Sequence, residues 1–386
     1  MTWPSPEKLS NIKGVTNEHG FTYAAASAGA FSINTPIAAV HQDAQVSGAQ
    51  VLLESRIDYE SLGRAQDNKR AFEKVMDLVV RNMINSIAKR VEIECLFGGN
   101  ASTSVGIGRI LSSTVAPATT STLVITLASW SAALFAGLEN AQLDAYTNGG
   151  AGGIPGTLVN TTQALVISSV VVSTRTVVVT GAAADIAALA ANNYLYFRGA
   201  FGNEATGMCT IAANTGTLFN IAGGTYSLWQ GNTIDAGSGA MTMQAVFDSL
   251  DGPVARGLDE PICYYVNPRT WTDIMNDLAA LRRFDGSYNK TKGADGFQKI
   301  EFYSQSGMIE ITPHKYMPEG RALAFPKSQC KRLGSTDVTF KAPGTQDEFF
   351  YQLPSNAGVG IRCYTMFAPF CNTPARCVLV TNIVNS

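Results

Sequence analysis

A long run of apolar residues at three- and four-residue spacing constrains the fold of this chain more than any other feature. The run extends from Phe72 to Val91, with Gly63 before it and Gly98-Gly99 after it. The pattern is sustained over about nine turns, roughly 50 Å at about 1.5 Å per residue, and it predicts one amphipathic helix. Globular helices usually span about 8–20 residues, so this length indicates a special architecture.

A membrane span and a coiled coil are the two common explanations for so long a helical pattern. Charged residues interrupt the run, which argues against a membrane span: Glu73, Lys74, Asp77, Arg81, Lys89, Arg90, Glu92 and Glu94. The apolar stripe is broad and belongs to a single helix, which weakens the coiled-coil interpretation. We therefore expect other parts of the same chain to pack along this helix.

The composition indicates a folded protein with little charge. Of 386 residues, 46% are hydrophobic and 15% are charged, and the formal net charge is −2. Without an excess of positive charge, we expect no basic surface that grips nucleic acid through its phosphates. The N-terminus lacks the pattern of a signal peptide, and no stretch of about 18 apolar residues occurs. We therefore expect no membrane association.

Five segments differ in composition and pattern. Residues 1–30 are rich in small and polar residues and predict a loose arm. Residues 31–62 predict an extended hairpin, which is marginal alone and should lie against this chain or another. Residues 63–118 contain the long helix. Residues 119–236 are nearly free of charge and hold short β-type runs, which predict an inserted sandwich or barrel. Residues 237–386 alternate helical and extended patterns.

The sequence contains no recognisable catalytic, cofactor or metal motif. Its seven cysteines have no paired metal spacing, and we expect buried, reduced thiols. The segment 106–111 begins like a dinucleotide loop but lacks the third glycine. The segment 285–296 begins like a calcium loop but ends in glycine in place of glutamate. His314 follows a proline and is expected at the surface or as a cap. We therefore expect no enzyme activity, no cofactor and no metal.

Two passages in the last third of the chain resemble a known family. Residues 263–271 read CYYVNPRTW, a strand followed by an Asn-Pro turn and a helix for which we expect Thr270 as the cap. Residues 313–323 match the pattern P-x-x-x-M-P-x-G-x-A-L, a strand, a turn and a second strand. Together with the order of the five segments, these passages resemble the major capsid proteins of tailed bacteriophages with the Hong-Kong-97-type fold.

This resemblance implies an α+β fold with named parts. Residues 1–30 would be the N-terminal arm, 31–62 the extended loop, and 63–118 the peripheral domain with its spine helix. Residues 237–386 would be the axial domain, whose C-terminal strands return to the peripheral domain. Residues 119–236 would be an all-β insertion domain.

The resemblance also implies a function and partners. The chain would assemble as hexamers and pentamers into an icosahedral shell enclosing double-stranded DNA, without sequence-specific binding. Scaffold, portal and decoration proteins are possible further partners. The protein would belong to the virion and assemble in the host cytoplasm.

A hairpin and a polar loop that lack partners gain order most readily on neighbouring subunits. We therefore expect intersubunit contacts at Val40, Val46, Val51, Leu53, Arg56, Asp285 and Tyr288. Replacing Val46 and Val51 with aspartate should then leave a folded monomer that does not assemble.

Two other classes of protein remain open. The first is a carbohydrate-binding virion or surface adhesion protein, in which these insertion aromatics would contact sugar: Trp130, Tyr146, Tyr194, Tyr196, Tyr226 and Trp229. The second is a cellular compartment shell of the same fold that encloses cargo enzymes.

Overall fold

The computed structural model describes residues 2–4, 22–26, 29–33, 42–60, 69–99, 106–149, 155–282, 300–304, 307–341, 351–353 and 357–385. The first third contains β1 (Thr2–Pro4), β2 (Gln45–Ser47), β3 (Ala49–Asp58) and α1 (Lys69–Phe97). The middle contains β4 (Gly108–Val115), β5 (Thr120–Ile125), α2 (Ala132–Phe135), β6 (Gln142–Asn148), β7 (Pro155–Leu158), β8 (Leu165–Val171), β9 (Thr176–Thr180), α3 (Ala183–Ala187), β10 (Tyr194–Phe197), α4 (Met208–Ala212), β11 (Thr217–Leu218), β12 (Ile221–Ala222) and β13 (Asn232–Asp235). The last third contains α5 (Met243–Ala255), β14 (Ile262–Val266), α6 (Pro268–Arg282), β15 (Ile300–Ser304), β16 (Gly307–Pro313), β17 (Ala322–Phe325), β18 (Cys330–Thr339), β19 (Tyr351–Gln352), β20 (Gly358–Cys371) and β21 (Val378–Thr381).

The long helix expected from the sequence is present as α1, with 29 residues. At about 1.5 Å per residue its length is about 44 Å. Between Leu78 and Glu92 its buried side chains form one narrow stripe, which includes Met83 and Ile87. Its last two turns are enclosed more fully, with Ile93, Leu96 and Phe97 in the main core. No helix in the described part of the chain is both long and apolar enough to cross a membrane.

A four-stranded antiparallel sheet packs against α1. Its long strand β20 pairs with β3 over ten residues, from Ala49 opposite Phe367 to Asp58 opposite Gly358. On its other side β20 pairs with β18 and β19. Ile57 and Phe367 from this sheet form a small core with the buried stripe of α1. The extended segment 49–58 therefore finds its partner within this chain, in a strand about 300 residues later.

The middle of the chain forms a closed antiparallel barrel of six strands, in the order β10-β4-β5-β9-β8-β6, and β6 pairs back with β10. Strand β7 adds to β6 outside this ring. Apolar side chains fill the interior, among them Leu123, Leu143 and Val177. Closure leaves no unpaired sheet edge in the ring, which stabilises an insertion poor in charge. The barrel spans 108–197, so it begins before the boundary at 119 that the loss of charge suggested.

The last third forms a six-stranded mixed sheet in the order β13-β21-β17-β14-β16-β15. Helices α5 and α6 cover it, and their apolar faces share a core with Tyr264. The sheet also takes in β13, which pairs in parallel with β21 and lies before the boundary at 237. Helices and sheets together confirm the expected α+β class.

Helix α6 begins one turn earlier than its sequence pattern suggested. The Asn267 side chain accepts a hydrogen bond from the backbone N–H of Arg269 at 2.9 Å and thereby caps the helix. Thr270, the expected cap, is instead buried, and its hydroxyl donates to Asn385 Oδ1 at 2.8 Å. This correction follows from Pro268, which fits the first helical turn because it has no N–H to leave unpaired.

Candidate assembly surface

The structure separates the seven residues that the sequence suggested as subunit contacts. Val46 is only 1% exposed and lies in the main core of its own chain. The backbone N–H of its neighbour Gln45 donates to Phe219 O at 2.9 Å. The Val46 side chain is thus not available to a neighbouring subunit. An aspartate there would bury an unpaired charge and unfold the chain, which corrects the expectation of a folded Val46 variant.

Of the other candidates, Val51 and Leu53 are half-buried and pack against the small core beneath α1. Arg56 is exposed, with 61% of its side chain accessible. Val40, Asp285 and Tyr288 lie outside the described residues.

The outer face of β3 carries an exposed apolar residue, Leu52, with polar side chains around it. Because side chains alternate along a strand, Leu52 faces away from α1, whereas Val51 and Leu53 face towards it. Leu52 is 57% exposed. Within the described residues β3 pairs with one strand only, so it is an edge strand of this sheet. Long edge strands are natural templates for contact with another chain.

Charged side chains surround Leu52 on the same face. Glu54 lies 2.7 Å from Arg56 and 3.2 Å from Arg362, and the Arg362 guanidinium lies 3.9 Å from the centre of the Tyr351 ring. The hydrogen bond from Arg56 is the main cause that lowers the pKa of Glu54 to about 2. Exposed ion pairs contribute little to folding stability. They do supply the polar rim that subunit interfaces place around an apolar centre.

A groove of about 400 Å³ lies next to Leu52, between β3, α1 and the barrel. Its wall contains two cations: the Lys89 ammonium donates to Ala136 O at 3.3 Å, and the Arg90 guanidinium stacks on Phe197 at 3.3 Å from the ring centre. Burial lowers the pKa of Arg90 to about 10. The groove thus joins an apolar floor to a basic wall, on the side of β3 that faces α1 and the barrel.

Other large apolar side chains are exposed along the same N-terminal third of the chain. On α1 these are Leu78 and Ile84, and before β2 they are Tyr23, Phe31 and Ile33. Single exposed apolar residues are common in soluble proteins, but several along one segment indicate a contact surface.

The aromatic residues of the insertion do not form an exposed platform for sugar. Trp130, Tyr194, Tyr196 and Trp229 are buried, and Trp130 stacks on Phe135 with ring centres 5.1 Å apart. The remaining two, Tyr146 and Tyr226, are half-buried. These residues are therefore mainly core residues, which leaves the carbohydrate-binding interpretation without a flat aromatic face.

The described residues include no group of three or more histidine, cysteine or acidic side chains arranged to hold a metal ion. His314 is more enclosed than its position after a proline suggested. Its side chain is 16% exposed, and its Nε2 lies 3.0 Å from Glu92 Oε1 on α1. This contact joins the passage 313–323 to the long helix, so the expectation of a surface or capping histidine is wrong.

The sequence interpretation missed the pairing of β3 with β20, which creates the candidate surface. One signal could have indicated it. Alternate residues are apolar in both strands, with Leu53 and Ile57 in β3 and Ile361 and Cys363 in β20. Matching alternation is necessary for two strands that bury the same face, although it does not identify the partner.

Sequence comparisons find no relative: no protein-family model matches the chain, and no curated protein matches it. Solved structures do match. A chain of the capsid asymmetric unit of cyanophage A-1(L) is 8% identical, with a TM-score of 0.54, and the match covers 100% of this chain and 88% of that chain. The capsid structure of cyanophage P-SCSP1u gives a TM-score of 0.43 at 11% identity, over 100% of this chain and 84% of that chain.

A third match is the holo-SrpI encapsulin complex from Synechococcus elongatus PCC 7942. It gives a TM-score of 0.26 at 15% identity and covers 40% of this chain and 53% of that chain. Of these three matches, the one to the cyanophage A-1(L) chain has a TM-score above 0.5, and the fold assignment rests on it. The expected resemblance to phage capsid proteins is confirmed at the level of the fold: over its whole length, this chain has the fold of a phage capsid protein.

Proposed function

We propose that this chain is the major capsid protein of a tailed phage. It assembles as hexamers and pentamers into an icosahedral shell that encloses double-stranded DNA. The observation that carries the proposal is the likeness to the cyanophage A-1(L) capsid chain, which covers 100% of this chain and includes its insertion. A shell subunit needs interfaces in place of an active site, so we propose no enzyme activity and no cofactor.

The domain layout follows from the same proposal. Residues 1–30 form the N-terminal arm, and 31–62 form the extended loop. Helix α1 and the other three strands of the four-stranded sheet, β18, β19 and β20, form the peripheral domain, with β20 as the strand that returns to it. The six-stranded sheet with α5 and α6 forms the axial domain. The barrel is the insertion domain, whose role in the shell is a separate question.

The candidate assembly surface supports self-association. Leu52, its ionic rim and the adjacent groove combine the apolar centre and polar border that protein interfaces use. Repeated contacts of this kind close into shells when the rotation between neighbours closes. Scaffold, portal and decoration proteins are proposed as further partners. The formal net charge of −2 suits a wall that encloses DNA without binding its sequence.

The first experiment is to express the whole chain and examine it by size-exclusion chromatography and negative-stain electron microscopy. Shells, sheets or tubes built from rings of five or six subunits are expected. A strict monomer at every concentration, also with the scaffold protein of its own genome added, would contradict the proposal. DNA in particles from infected cells, in place of enzyme cargo, would separate a phage capsid from a compartment shell.

A pair of variants tests the surface itself. Leu52→Asp should leave a folded monomer with an unchanged circular dichroism spectrum, because Leu52 is exposed, but it should block assembly. Leu111→Asp is the matched control, since Leu111 is 52% exposed on the barrel strand β4. Shells formed by Leu52→Asp as readily as by wild type would remove the outer face of β3 from the interface. Loss of shells in both variants would show only that added charge prevents assembly.

A further inference from the structure

Three cysteines meet where the chain crosses between its six-stranded and its four-stranded sheet. The chain passes from the six-stranded to the four-stranded sheet between β17 and β18, and it returns between β20 and β21. Cys330 is the first residue of β18, Cys371 is the last residue of β20, and Cys377 directly precedes β21. Cys330 and Cys371 are also opposite each other in the strand pairing. Both crossings therefore carry a thiol at the same place.

The thiols are close enough to react with one another. The Sγ atoms of Cys371 and Cys377 are 3.5 Å apart, and a short 3₁₀ turn at Pro374–Arg376 brings the two residues together. Both are fully buried, whereas Cys330 is partly exposed. The cluster thus has two enclosed thiols and one that solvent can reach.

Cys371 is the member of the cluster whose thiolate the other two thiols stabilise. Hydrogen bonds donated by Cys330 and then Cys377 stabilise its thiolate and lower its pKa well below the usual range, against the opposing effect of burial. The pKa of Cys377 is raised in turn, because Cys330 and Cys371 favour its protonated form. The thiolate is the attacking species in disulfide exchange, so an anion at Cys371 favours reaction within the cluster.

We propose that Cys371 and Cys377 form an intrachain disulfide, with Cys330 as the entry point for the oxidant, and that this bond locks the junction between the two sheets. The oxidant is a low-molecular-weight disulfide, RSSR. Cys330 attacks one sulfur of RSSR, its proton passes to the RS⁻ that leaves, and a mixed disulfide forms. Cys371 then attacks the Cys330 sulfur and expels the second RS⁻.

Exchange within the cluster completes the reaction. Cys377 attacks Cys371 and gives its proton to the Cys330 sulfur that leaves, so the Cys371–Cys377 bond forms and Cys330 returns to a thiol. Overall, two protein thiols are oxidised and lose two hydrogen atoms, and RSSR is reduced to two RSH. A reducing cytosol keeps the thiols free, and an oxidising exterior closes the bond. The lock therefore forms after the protein leaves the cell, whether or not it belongs to a phage.

The test uses the full-length protein incubated with oxidised glutathione under native conditions. Free thiols are then alkylated, and the intact mass and the peptide map are measured. We expect two of the seven thiols to be lost and Cys371 to be linked to Cys377. No linked pair after complete exposure, or a stable Cys330–Cys371 bond in its place, would overturn the proposal.

Single variants assign the roles. Cys371→Ser and Cys377→Ser should each abolish the disulfide, and Cys209→Ser, at another buried cysteine, should leave it intact. Cys330→Ser should slow oxidation several-fold but give the same linked peptides at the end point. An unchanged rate would overturn the entry role of Cys330. The wild-type peptide map decides the disulfide itself even if a serine variant fails to fold.

Discussion

Replacing Glu94 with glutamine should stabilise the unassembled chain at alkaline pH and have little effect in acid. Glu94 lies near the end of α1, is 2% exposed, and accepts a hydrogen bond from the backbone N–H of Ala205 at 2.8 Å. Burial raises its pKa to about 6, against the opposing effects of that hydrogen bond and of Arg90. Glutamine keeps the acceptor oxygen and the volume, and it removes only the charge.

The sign and size follow from proton linkage. A carboxyl whose pKa is higher in the folded chain binds its proton more tightly there, so stability falls as pH rises through that pKa. For a rise from 4.5 to about 6, the cost of ionising Glu94 is roughly 2 kcal/mol at pH 8 and about 0.4 kcal/mol at pH 4.5. Burial raises the pKa of Glu204 to about 7, and the negative charge of Glu94 raises it further. Removing the Glu94 charge should therefore also lower the cost of ionising Glu204, which stabilises the folded chain in the same direction.

The assay is urea unfolding of the monomer at pH 8 and at pH 4.5. Glu94→Gln should raise the free energy of unfolding by about 2 kcal/mol at pH 8 and by less than about 0.5 kcal/mol at pH 4.5. Glu139→Gln, at an exposed carboxylate, is the control and should change stability by less than about 0.5 kcal/mol at either pH. An equal loss of stability for Glu94→Gln at both pH values would refute the reasoning, because it would mean that the carboxylate is needed for packing.

Two further predictions concern packing and are checked by the same unfolding measurement. Ile87→Ala should cost about 2–5 kcal/mol, because Ile87 is buried between α1 and the four-stranded sheet, whereas Ile84→Ala on the exposed side of the same helix should cost less than about 1 kcal/mol. If Ile87→Ala and Ile84→Ala destabilised the chain equally, the sheet would not pack on the Ile87 face of α1. Gly320→Ala should cost about 1–3 kcal/mol or more, since a Cβ there would lie 2.4 Å from Ala128 Cα beside the barrel. Gly224→Ala, where a Cβ would meet nothing within 4 Å, should be nearly neutral, and a neutral Gly320→Ala would show that the close approach is absent.

Local patterns in the sequence were enough to predict the elements that depend on neighbours along the chain. The apolar spacing from Phe72 to Val91 predicted α1, because residues three and four apart share a helix face whatever they pack against. The short β-type runs predicted an inserted barrel or sandwich for the same reason. The motif 313–323 gained a physical explanation: at its Gly320 the backbone passes so close to Ala128, just after β5, that a Cβ would not fit.

Only the tertiary structure decided which elements meet. Val46 and Val51 are the same residue type in successive strands, yet Val46 lies in the main core, next to the hydrogen bond from Gln45 N–H to Phe219 O, whereas Val51 is half-buried. Strand β3 pairs with β20, Glu54 meets Arg362 across 308 positions, and Cys330 lies opposite Cys371 in the strand pairing. The spacing at which apolar residues recur along the sequence determines which face of a strand or helix is buried. The choice of partner depends on a competition among all strands of the chain, and no local window of sequence contains it.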